Sequence, residues 1–163
     1  MAGKIHRYEL TVRWTGNTGS GTSGYKNYKR DHEITSNVAK HPILGSSDPA
    51  FRGDRDRWNP EELLVASLSA CHKLWYLHLC SEAGVVVLEY LDNAEGIMEE
   101  SSDGSGIFKK VILRPRVVIA SDSDSEKART LHRVANAKCF IANSVNFTVE
   151  HEPTLAMAGT LSS

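Results

Sequence analysis

NPEELLVASLSACHKLWYLHLCSEA, residues 59–83, decides the fold. It reads as one long helix with a cysteine near its middle. Asn59 suits the N-cap, because its side-chain oxygen can accept from an amide two or three residues on. Pro60 fits the first helical position, where a missing N–H costs nothing. Glu62 stands at the third position and can reach back, a capping box with Asn in place of Ser or Thr. Glu61 and Glu62 also sit well at the positive end of the helix dipole. Residues 63–71 are apolar or small, which predicts a middle buried on most sides. Gly84 is a natural stop. Ala66, Ser67, Ser69 and Ala70 would let another backbone come close.

Working outward, residues 4–14 alternate loosely with strand-favouring side chains. A Gly, Ser and Thr-rich loop follows, and residues 25–35 read as a returning strand. Its Tyr28, Arg30, His32 and Ile34 share one face by period-two counting. Residues 37–58 form an extended connection with Pro42, Pro49, Gly45 and Gly53, too long for a simple turn. After the helix, residues 85–99 read as a strand with Gly96 at a bulge. Residues 107–120 read as another, with Pro115 implying an edge or a bulge. A second helix spans about 124–137, and Ser123 before Glu126 suggests its capping box. A last strand covers 145–150, and 153–161 offers a short edge. Hairpins with segregated helices mean α+β rather than a doubly wound sheet.

The totals narrow the function classes. The 163 residues fit one domain, 1–163, able to bury a core without disulfides. A net charge of −1 gives no sign of a nucleic-acid partner. No apolar run approaches the ~20 residues that span a bilayer. The first residues lack the apolar core of a signal peptide, so the expected location is cytoplasmic. The three cysteines, Cys71, Cys80 and Cys139, are read as free thiols.

Cys71 and Cys80 are nine positions apart, on opposite sides of a helix turning about 100° per residue. They cannot bridge each other there. Cys71 shares a face with Trp75 and His78. The spacings of Cys71, His72, His78 and Cys80 lack the pairing of helical metal sites. Cys139 precedes the segment FIANS, which can open with free amides that stabilise a thiolate.

The block NPEELLVASLSAC, with AKCFIANS and a terminal strand far downstream, resembles the OsmC/Ohr family of thiol-dependent peroxidases. The loop SSDPAFRGD and the Tyr-x-x-Tyr-x-Arg-x-His pattern of residues 25–32 extend the resemblance over most of the chain. It implies an α+β fold built as an intertwined homodimer, with active sites at the subunit interface. It implies reduction of organic hydroperoxides and hydrogen peroxide without metal or flavin, as part of a stress response. By matching positions, Cys71 is the peroxidatic cysteine and Cys139 the resolving one. Glu61 matches the family's glutamate ten residues before the first cysteine. Arg30 matches its activating arginine, with Arg52 and Arg55 as alternatives. The reductant implied is a dithiol of lipoyl type or a small thiol. The family often carries proline after the second cysteine, where this chain has Phe140.

A buried thiol alone is a poor nucleophile, because burial disfavours the thiolate. A nearby guanidinium reverses that, and a carboxylate such as Glu61 can hold the guanidinium. Trp75 or Trp58 would suit the organic part of a peroxide. The rival from another class is a module that uses the same pocket to bind a small apolar ligand without catalysis.

Overall fold

The computed structural model describes residues 3–39 and 41–159. They group into two compact units, Met1–Leu63 and Leu64–Ser163.

The first unit holds an antiparallel sheet of β1 (Thr11–Trp14), β2 (His32–Thr35) and β3 (Ile43–Gly45) in that order. Trp14 pairs with His32, and Val12 with Ile34. Both expected strands are shorter than 4–14 and 25–35. Local bonds take over the backbone groups between them. Asn17 Oδ1 accepts from the amides of Gly19 and Gly21, and Trp14 Nε1 donates to the Lys29 carbonyl. The connection 37–58 is tied along β3: the Ser46 amide donates to Trp58 O at 2.9 Å, and the Trp58 amide to Leu44 O at 3.1 Å.

The helix α1 runs Pro60–Glu82. Its capping box is reciprocal. The Glu62 amide donates to Asn59 Oδ1 at 2.7 Å, and the Asn59 amide to Glu62 Oε2 at 3.2 Å. Gly84 ends the helix region with φ of 72°, a left-handed conformation that other residues resist. The expectation of burial on most sides needs correction. Leu68, His72, Tyr76 and Cys80 form one buried stripe at a four-residue step, while Ala66, Ala70, Leu74 and His78 stay exposed. The apolar run therefore has two faces, and among the described residues only one is buried.

The second unit carries β4 (Val87–Asp92), β5 (Glu95–Glu100), β6 (Gly106–Leu113), β7 (Pro115–Ile119), α2 (Ser125–Lys138), β8 (Thr148–His151) and β9 (Thr154–Met157). They form two sheets, ordered β4-β7-β9 and β5-β6-β8. The strands expected over 85–99 and 107–120 are each broken in two, at 93–94 and at Arg114. Asp92 makes the break. Its Oδ1 accepts the Arg114 amide at 2.7 Å, which removes that amide from the ladder, and its Oδ2 accepts Ser69 Oγ at 2.5 Å. Pro115 has no N–H to offer. It opens β7, a central strand rather than the expected edge or bulge, at the first position, where proline is tolerated.

Gly96 sits where a Cβ would fall 2.6 Å from Val65 Cγ2 and 2.7 Å from Phe108 Cε1, so its bareness lets β5 lie close to α1. The bulge falls one residue later, between Ile97 and Met98. Asp124 rather than Ser123 caps α2, accepting from the Lys127 amide at 2.9 Å. Ser123 Oγ instead accepts the Val86 amide at 3.0 Å.

The core has two parts. Leu68 packs with Val111 and Leu113 of one sheet. Tyr76 and Cys80 pack with Val117, Ile119 and Ala128. Successive turns of α1 thus cover successive sheets, each buried aliphatic side chain contributing about 1.5–3 kcal/mol. Among the described residues, no helix is long and apolar enough to cross a membrane.

Candidate active site

Cys71 lies between the two faces of α1. It is half-buried rather than fully buried, because only the neighbouring stripe packs inward. It opens into a cavity of about 480 Å³ lined by Ala70, Leu74, Trp75, Phe140 and Ile141. Ser67 and His78 also line it; the Ser67 hydroxyl donates to Leu64 O at 2.7 Å, and the rest of the wall is apolar.

Cys139 is the C-cap of α2 and is 1% exposed. Its sulfur lies beside that of Cys71 and accepts the Ala142 amide at 3.4 Å. The thiol is pushed up to about 11, by burial first, then by the neighbouring Cys71 sulfur and its charge; the Ala142 and Ile141 amides pull the other way. The two sulfurs are unbridged neighbours. The segment after Cys139 folds back as a 3₁₀ turn, Ala142–Ser144, and this aims the Ala142 amide at the sulfur.

The residues on either side of Cys139 grip Trp75, one turn along α1 from Cys71. The Phe140 ring meets the indole edge-on at 5.6 Å, and Lys138 Nζ lies over it at 5.4 Å. Cys80 is 1% exposed in the core. Burial raises its thiol, with the Tyr76 hydroxyl beside it partly opposing. It faces away from the cavity, as the helical count requires.

The other predicted site residues belong to the first unit. Arg30 is sandwiched between Tyr25 and Tyr28, at 4.4 and 4.2 Å from the ring centres. Its guanidinium donates to Tyr28 O at 2.7 Å and Tyr25 O at 2.8 Å. Arg52 approaches the Tyr25 ring at 5.9 Å. Glu61 occupies the first turn of α1. Among the described residues, none of Arg30, Arg52 and Arg55 forms an ion pair.

A histidine cluster escaped the sequence reasoning. His72 and His132 are buried and hydrogen-bonded, Nε2 to Nδ1, at 3.1 Å. Tyr76 stacks on His132 at 3.8 Å, and His151 lies beside His72 at 5.7 Å. Burial, then the charge of His151, lowers His72 to about 4. Burial, then the charges of His72 and His151, lowers His132 to about 3. The available signal was position: His72 and His132 each fall on the buried stripe of their helix, while His151 ends β8.

The sequence matches a known family. The profile described as OsmC-like protein covers residues 53–153. The chain belongs to the OsmC-like family. An OsmC-like protein of unknown function from Vibrio cholerae shares 31% identity and superposes with a TM-score of 0.83, over 92% of this chain and 100% of its own. The uncharacterized protein YmaD of Bacillus subtilis is 25% identical over 149 residues, 89% of this chain and 90% of its own length. An organic hydroperoxide resistance protein from Elizabethkingia anophelis shares the fold, with a TM-score of 0.65 at 19% identity, covering 94% of this chain and 99% of that one. As an OsmC-like chain it has Glu61, Cys71 and Cys139 inside the family match and Arg30 outside it.

Proposed function

We propose that this chain is a thiol-dependent peroxidase that reduces organic hydroperoxides, and hydrogen peroxide, through Cys71. The observation that carries the reading is the neighbouring Cys71–Cys139 pair beside an apolar cavity of about 480 Å³. A hydroperoxide presents both a polar O–O bond and an organic group, and the cavity offers a sulfur next to an apolar wall. The name of the Elizabethkingia structure, an organic hydroperoxide resistance protein, agrees with it.

The Cys71 thiolate attacks the terminal peroxide oxygen. The O–O bond breaks, the alkoxide leaves and takes a proton to become an alcohol, and Cys71 becomes a sulfenic acid. Cys139 attacks that sulfur. An S–S bond forms, hydroxide leaves, and it takes up a proton to become water. A dithiol of lipoyl type then reduces the disulfide and is itself oxidised to a cyclic disulfide. The family resemblance assigns the activating cation to Arg30, with Arg52 and Arg55 as alternatives, and a supporting carboxylate to Glu61. A homodimer agrees with the exposed apolar residues Ala70 and Leu74 on α1. Free thiols suit a reducing compartment such as the cytoplasm.

The test is steady-state peroxide consumption with dihydrolipoamide, comparing cumene hydroperoxide with hydrogen peroxide. The reading expects turnover that Cys71→Ser abolishes. No turnover above the free-dithiol rate would leave the chain as a binding module.

A further inference from the structure

We propose that His72 and His132 are a positioning pair that holds α1 and α2 in the register at which Cys71 and Cys139 can close a disulfide; this rests on the peroxidase reading. The pair is one directional bond between two neutral imidazoles, one donating and the other accepting. Its rings are parallel within 6°, with centres 5.4 Å apart. One helix turn further along α1, the Tyr76 hydroxyl donates to Ala128 O at 3.2 Å, one turn back along α2. The step from 72 to 76 on α1 matches the step from 132 to 128 on α2. Two such tethers on antiparallel helices set both their spacing and their longitudinal register.

The thiols hang from the same two helices. His72 adjoins Cys71 in sequence, and His132 lies two turns before Cys139, the C-cap of α2. A disulfide demands sulfurs about 2 Å apart and a narrow range of backbone separation. A slip of α2 by a fraction of its ~5.4 Å pitch would spoil that fit. Tyr76 stacked on His132 and His151 beside His72 keep the two rings from turning.

Packing alone does not explain the pair. Among the described residues, the buried His72 Nδ1 and His132 Nε2 have no hydrogen-bond partner. Two unpaired ring nitrogens carry a desolvation cost that two apolar side chains would avoid. The lowered proton affinity of both rings keeps them neutral near pH 7, so the bond between them persists.

The experiment equilibrates the reduced protein with reduced and oxidised dithiothreitol. The two cysteine thiols pass two electrons and two protons to the cyclic disulfide; the Cys71–Cys139 bond forms and dithiothreitol gains two thiols. The Cys71–Cys139 equilibrium constant is read by mass mapping. His132→Phe and His72→Leu should each lower it about tenfold or more, since the effective concentration of one thiol at the other falls. His132→Asn and His72→Gln keep a polar atom at the bonding position and should stay within about threefold of the parent. If one apolar variant does not fold, the other helix supplies the same comparison. Apolar variants that lower the melting temperature of the reduced protein yet keep the parental equilibrium constant would overturn the proposal. A parent that forms no Cys71–Cys139 disulfide at all would instead overturn the peroxidase reading beneath it.

Discussion

The sulfur of Cys139 lies beside that of Cys71 and accepts the Ala142 amide at 3.4 Å. This arrangement orders the two cysteines. While Cys71 carries charge, it holds the proton on Cys139. Once Cys71 is a sulfenic acid, that influence is gone, and the amides of Ala142 and Ile141 are left to offset part of the burial that still raises the Cys139 thiol. Resolution thus follows attack. Cys139→Ser should keep the first peroxide reduction and then stall, with a sulfenic acid on Cys71 that dimedone traps and excess peroxide overoxidises. Stopped-flow kinetics with mass spectrometry checks it, and a lost first step would reverse the assigned roles.

Cys80 is expected to be a core residue only. It is 1% exposed and packed beside Tyr76, away from the cavity. Cys80→Ser should preserve peroxide turnover and lower unfolding stability by about 1 kcal/mol through imperfect accommodation of the hydroxyl. A fall in turnover like that of Cys71→Ser would show that the wrong pair of thiols has been chosen.

Phe140 is 67% exposed, yet it walls the cavity and meets Trp75 edge-on at 5.6 Å. An aromatic contact of this kind is worth about 0.5–1.5 kcal/mol. Phe140→Ala should therefore lower kcat/KM for cumene hydroperoxide roughly three- to tenfold, with little change for hydrogen peroxide. Equal losses for both peroxides would mean that Phe140 serves the cysteine pair and not the organic group.

Part of this was legible before folding. Asn59, Pro60 and Glu62 carry helix-start chemistry within four residues, and the reciprocal cap follows from it. The opposition of Cys71 and Cys80 needs only the helical repeat. The breaks at 93–94 and Arg114 were hidden because they depend on Asp92, whose partners, Ser69 and Arg114, lie about twenty residues away on either side. Short alternating strands look continuous when the residue that interrupts them acts from a distance. The His72–His132 bond was invisible for the same reason, since it joins residues sixty positions apart. Arg30 shows the converse. Period-two counting gave it a strand face, but its guanidinium closes a turn onto Tyr25 O and Tyr28 O.

Acid should weaken the fold in a defined window. His72 and His132 hold folded-state values of about 4 and about 3, below the ordinary 6.5. As pH falls below about 6.5, the unfolded chain binds protons that the folded chain refuses, so stability drops. The loss continues to about pH 3 to 4 and then levels off, and none of it is present at neutral pH. For His72 alone it amounts to roughly 3 kcal/mol. Denaturant melts of the His72→Gln variant between pH 7 and 4 should show a shallower slope than the parent; identical slopes would contradict this.

The most direct test of the central claim adds one equivalent of cumene hydroperoxide to the fully reduced chain, counts the remaining thiols and maps any disulfide. The account predicts the loss of two thiols, with one bond between Cys71 and Cys139 and Cys80 still free. Three surviving thiols, or a bond that includes Cys80, would contradict it.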